Sequence, residues 1–186
     1  KIEKITDEEI LKQYLNHDSI GIRSAAVKQI KNDELLTEIF YNKNYRDIRE
    51  YAFENINDQN ILKNILLYDS ILYEEDALKK IDDDEILSEI TATHHKSEIR
   101  KKALAKITNQ QTLGKIICEN PHYEIRQKAL EGIDDENILV DIVEDTFSFN
   151  DAFGVIGKIK SKSNLAKLLK SPNWQIRYLV VNHDYL

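Results

Sequence analysis

Few residues in this chain have types and spacings suited to chemistry. His94, His95, Cys118 and His122 are the one set with metal-ligand character, and Cys118 and His122 stand four apart, a spacing that shares one helical face. Zinc sites bring tighter ligand pairs with hydrogen-bond partners behind each ligand, so no metal is expected here. The acidic runs Asp82-Asp-Asp-Glu85 and Asp134-Asp-Glu136 have the composition of calcium loops without the alternating spacing or the glycine. They read instead as helix caps. No glycine-rich phosphate loop, Cys-x-x-Cys pair or His-Glu-x-x-His motif occurs. Neither a cofactor nor an enzymatic activity is expected.

Composition narrows the setting. The 186 residues carry 26 basic and 33 acidic side chains, a formal charge of −7, which argues against a general nucleic-acid coat. Hydrophobic residues make up 41% and charged residues 32%, as in a folded globular chain rather than a disordered one. No apolar run reaches the length of a membrane helix, so no membrane partner is expected. A single cysteine cannot form an intrachain disulfide, and cytoplasmic residence is the default expectation.

What positions the side chains is a repeat. Isoleucine recurs at 5, 30, 56, 81, 107, 133 and 159, in steps of 25 or 26. Leucine stands six residues after each, from Leu11 to Leu165. A short apolar residue stands four before (Ala26, Ala52, Ala77, Ala103, Ala129, Val155) and a larger one three before. Apolar positions at −8, −4, −3 and 0 form one face of a first helix, and those at +5, +6, +9 and +10 form one face of a second. Between them, Asp7, Asn32, Asp58, Asp83, Asn109 and Asp135 are predicted N-caps. Five of the six arginines (Arg23, Arg49, Arg100, Arg126, Arg177) share the −7 phase, where lysine never appears. A planar fork of donors in one phase points to a structural ladder onto carboxylates or carbonyls.

Segments such as Glu98–Ile107 (EIRKKALAKI) and Glu124–Ile133 (EIRQKALEGI) resemble bacterial short HEAT-like repeat proteins, whose hallmark is a Val/Ile-Arg-x-x-Ala core. The resemblance covers essentially the whole chain. It implies an all-α, right-handed solenoid of about seven short two-helix repeats of 25–26 residues, spanning residues 1–186 as one domain. Its second helices would line a concave surface that binds proteins or peptides. The unit is shorter than the usual HEAT length, which leaves a leucine-rich-variant solenoid as an alternative. Bilin lyase subunits and DNA glycosylases of HEAT type depart from pure binding. Trp174, Arg177 and Asp184 have the residue types of a glycosylase site, but they lie at one end of the chain with acidic neighbours upstream. Lys1–Ile5 matches only the tail of a first helix, so the chain is expected to start inside a repeat, with a C-terminal half-repeat as a cap.

Function in such an array is expected where repeats differ. Projected at about 100° per residue, the most outward positions of the second helices turn small and apolar in the middle repeats. Tyr41, Leu67, Ser88, Ala92, Gly114, Cys118 and Val140 would floor a groove for an unidentified protein or peptide, the expected partner. Two repeats lose the arginine, placing Glu74 and Ala152 in its slot, and the second of these carries Phe147, Phe149 and Phe153. The alternative surface is basic: Lys158, Lys160, Lys162, Lys167, Lys170 and Arg177 lie near Trp174, after a stretch (131–155) with eight acids and no base. That end would bind nucleic acid or a phosphate ligand.

Overall fold

Helices of two or three turns are marginal by themselves in water, so a chain of them must be held by caps and packing. The computed structural model describes residues 5–69, 72–145 and 149–182, and within these it is all-α, with fourteen α-helices and no strand. No helix among the described residues is long and apolar enough to cross a membrane. The chain divides into two compact units, Lys1–Ile81 and Asp82–Leu186.

The first unit holds α1 (Glu8–Tyr14), α2 (Ile20–Val27), α3 (Asp33–Tyr41), α4 (Arg49–Asn55), α5 (Gln59–Asn64) and α6 (Glu74–Lys80). The second holds α7 (Asp84–Thr93), α8 (Ser97–Leu104), α9 (Gln110–Glu119), α10 (Tyr123–Glu131), α11 (Glu136–Asp145), α12 (Phe149–Ile156), α13 (Lys162–Leu168) and α14 (Trp174–Val181). All six Asp/Asn caps form. Asp7, Asp58 and Asp83 each accept two backbone N–H groups of the following turn, while Asn32 and Asn109 accept one at the third position and Asp135 accepts that of Asn137.

The register read from the sequence is the core. Ile30, Ile56, Ile81, Ile133 and Ile159 are fully buried, as are Leu11, Leu36, Leu62 and Leu165, and Ala26, Ala52, Ala77 and Ala103 beside them. Burying each large aliphatic contributes about 1.5–3 kcal/mol, the term that holds such short helices. The pairing of helices differs from the sequence reading in phase. The tight hairpins join each second helix to the first helix of the next repeat: α7 with α8, α9 with α10, α11 with α12 and α13 with α14. The connections within these hairpins are as short as residues 120–122, which keeps the two helices adjacent.

The first unit breaks the pattern twice. A 3-10 turn at Lys43–Tyr45 delays α4 until Arg49, and α5 passes into a π-helical turn at Ile65–Asp69. Arg49 lies over the Phe40 ring at 5.7 Å, and Tyr73 packs on Phe40 and Phe53 with centroids 5.0 and 4.8 Å away. Burial pushes the Tyr73 phenol above its ordinary pKa. The three-phenylalanine patch is only partly visible: Phe153 is exposed, Phe147 lies outside the described residues, and so does the side chain of Phe149.

Candidate functional site

The arginine ladder is structural. The Nη1 of Arg100 donates to the carbonyls of His94 and His95 at 2.9 and 3.2 Å, at the C-terminal end of α7. Arg126 does the same to Asn120 at 3.0 Å, and Arg177 to Ser171 and Pro172 at 2.7 and 2.9 Å. Arg23 donates to His17 and Asp18. Each of these guanidinium groups thereby ties down carbonyls of the link that joins one second helix to the next first helix. The second nitrogen bridges to the next repeat: Arg100 Nη2 to Glu124 at 3.1 Å, and Arg23 Nη2 to Asp47.

Two further ladders escaped the sequence reading. The residue just before the key isoleucine reaches back to the end of the preceding first helix. Asn55 donates to the Val27 carbonyl at 3.1 Å, and Lys80 to those of Phe53 and Glu54 at 2.9 and 2.7 Å. Lys158 donates to the carbonyls of Leu130, Glu131 and Ile133 at 2.6, 3.2 and 2.7 Å. Burial holds the Lys80 ammonium below its ordinary pKa. The second ladder starts three residues after the isoleucine and clamps the next inter-helix turn. There Asp33 accepts the Asn57 N–H at 2.8 Å, Gln110 that of Asp134 at 2.8 Å, and Glu136 those of Lys160 and Ser161, both at 3.0 Å.

These bonds correct the basic surface. Lys158 and Arg177 are half-buried and engaged with backbone carbonyls, so neither is presented to a phosphate. The reason is that a lysine or arginine beside a helix C-terminus finds fixed dipoles closer than solvent. Lys160, Lys162, Lys167 and Lys170 are exposed, and Trp174 is 65% exposed.

The ladders make stability depend on pH. Glu124 falls from its ordinary 4.5 to about 2, held by hydrogen bonds from Ser97, Lys101 and Arg100. Glu136 is lowered too, chiefly by the Lys160 N–H. Both folded-state values lie below the unfolded ones, so their contribution is complete above the ordinary carboxylate range and is lost as pH falls from there towards 2. Thermal unfolding across that window should show a falling Tm, and the Glu124→Gln/Glu136→Gln double variant should show a flatter fall.

The groove residues fall on both units. In the first, Tyr41 is 43% exposed at the end of α3, with its ring edge-on to Phe40, and Leu67 is half-buried in the π-helical turn. In the second, the second helices pack side by side, α7 on α9, α9 on α11 and α11 on α13. Ser88, Ala92 and Val140 are half-buried on these helices and Cys118 is exposed. Gly114 departs from the expectation. It is buried against α11, and a Cβ there would stand 2.9 Å from Ile138 Cγ2 and 3.6 Å from Ile142 Cδ1. Its lack of a side chain lets two helices approach, so it is not open to a partner.

The histidines are structural in their contacts. His94 is buried and its Nδ1 accepts the Lys96 N–H at 3.1 Å, with the His95 ring stacked at 4.6 Å. The Nε2 of His122 lies 3.2 Å from the Ala92 carbonyl. Beside it Asn120 donates to Thr91 Oγ1 at 2.7 Å in the buried layer between repeats. Among the described residues no three His, Cys, Asp or Glu side chains are grouped to hold a metal ion. The chain matches no protein-family model, no curated protein and no solved structure.

Proposed function

We propose that the chain is a non-enzymatic scaffold of the HEAT-like kind, a right-handed solenoid that binds a protein or peptide along its second-helix face. The observation that carries this reading is the row α7, α9, α11, α13, which leaves Ala92, Cys118 and Val140 at or near the surface while neighbouring polar side chains are engaged in structural bonds. The repeated hairpins, with first helices α8 and α10 also adjacent, support the solenoid. An apolar strip flanked by charged groups suits a partner helix or extended segment. The basic-end alternative keeps Lys160, Lys162, Lys167, Lys170 and Trp174 exposed but loses two of its seven members.

The single cysteine supplies the test. A photo-crosslinker on Cys118 should capture a discrete protein from a cell extract, and Ala92→Glu or Val140→Glu should abolish the adduct without changing the circular dichroism. Identical adducts from a cysteine moved to Lys102, on exposed α8 surface, would sink the reading. Binding that weakens steeply with log salt would instead favour the phosphate surface.

A further inference from the structure

In the second unit, α8, α9, α10 and the turns between them line an open pocket of about 590 Å³, bordered by Leu104, Ala105, Ile107, Leu113 and Gly132 among others. Its position in the repeat explains it. One 26-residue step later, the residue before the key isoleucine is Lys158, whose ammonium is held by the carbonyls of Leu130, Glu131 and Ile133. One step back, the same slot is Gly132, and the equivalents of those carbonyl-bearing residues are Leu104, Ala105 and Ile107, three of the residues lining the pocket. The repeat thus brings the equivalent backbone positions to this pocket, with glycine where the next repeat has its lysine.

The neighbouring lysines do not fill it. Lys101 pairs with Glu124 at 3.1 Å and Lys128 with Glu131, and all four residues line the pocket. The floor of Leu104, Ile107 and Leu113 suits a methylene stem, and helix-end carbonyls suit the charged head. We infer that the Gly132 pocket binds a primary alkylammonium group, delivered either as a free aliphatic amine or as the lysine side chain of a partner protein. This inference concerns a different face from the second-helix strip and stands without it.

The probe is n-butylammonium, the lysine side chain without its backbone, titrated by calorimetry with amide NMR shifts as the site readout. A capped Gly/Ser peptide with one central lysine forms the second arm. Saturable binding, with shifts at Leu104–Thr108 and Gly132, is expected from at least one arm, and which arm binds tells the free amine from the protein-borne one. The backbone at Gly132 is right-handed (φ −84°, ψ −7°), and the nearest atom to a Cβ there is the Leu113 Cδ1 at 3.3 Å, so Gly132→Lys requires that side chain to shift by a few tenths of an ångström. That variant should raise Tm and weaken the amine more than tenfold. Should it fail to fold, Lys158→Gly opens the equivalent socket, and n-butylammonium should restore part of the Tm it loses. The inference is overturned if neither amine saturates, if n-butanol or a norleucine peptide binds as tightly, if a folded Gly132→Lys still binds, or if the amine leaves Lys158→Gly unrescued.

Discussion

Ile133→Ala should lower the unfolding free energy of the second unit by about 2–5 kcal/mol, read from urea denaturation with an unchanged m value. Ile133 is fully buried where α10 gives way to α11, and its carbonyl receives the Lys158 ammonium at 2.7 Å. Removing its outer carbons loses the transfer energy and leaves a cavity. Short helices tied by carbonyl and carboxylate ladders on both sides have little freedom to collapse into it, which places the loss within the upper range for such changes. Ile133→Val should cost only about 0.5–1.5 kcal/mol. Val181→Ala, at a site 64% exposed on α14, should stay within about 0.5 kcal/mol. A loss below about 1 kcal/mol for Ile133→Ala would mean that the isoleucine register does not hold the repeats together.

Arg100→Met should cost about 2 kcal/mol, the scale of hydrogen bonds from a charged donor. The guanidinium is 11% exposed and joins three acceptors from two repeats: the His94 and His95 carbonyls and the Glu124 carboxylate. Its buried Nε finds no acceptor among the described residues, which holds the net value at the lower end of the range. Arg100→Lys should recover little, because a point charge cannot bridge a helix end and a carboxylate that the fork spans. A double-mutant cycle with Glu124→Gln should show coupling between the two sites. Additivity of the two changes, or an Arg100→Lys variant as stable as wild type, would overturn the ladder account.

Much of the local order was legible in the chain. The isoleucine, leucine and alanine register became the core, the six Asp and Asn caps all formed, and the shared phase of the arginines foretold donors bridging to carbonyls and carboxylates. Each of these depends on a side chain's place within its own helix or turn, which a period of 25 or 26 residues displays directly. The phase of the hairpins was not legible, since the same period fits whichever way the helices are paired. Gly114 was projected outward by helical geometry alone. The packing of α11 beside α9 put Ile138 against it instead.

Lys158 read as one lysine in a basic run until the end of α10 was seen to lie within reach of its ammonium. Gly132 has meaning only by comparison with it. Periodicity therefore determined which residues face inward and how each helix begins. Which distant neighbour each side chain meets was decided only by the tertiary structure, because the carboxylates of the arginine ladder and the partners of the other two ladders stand 24 to 28 residues away along the chain.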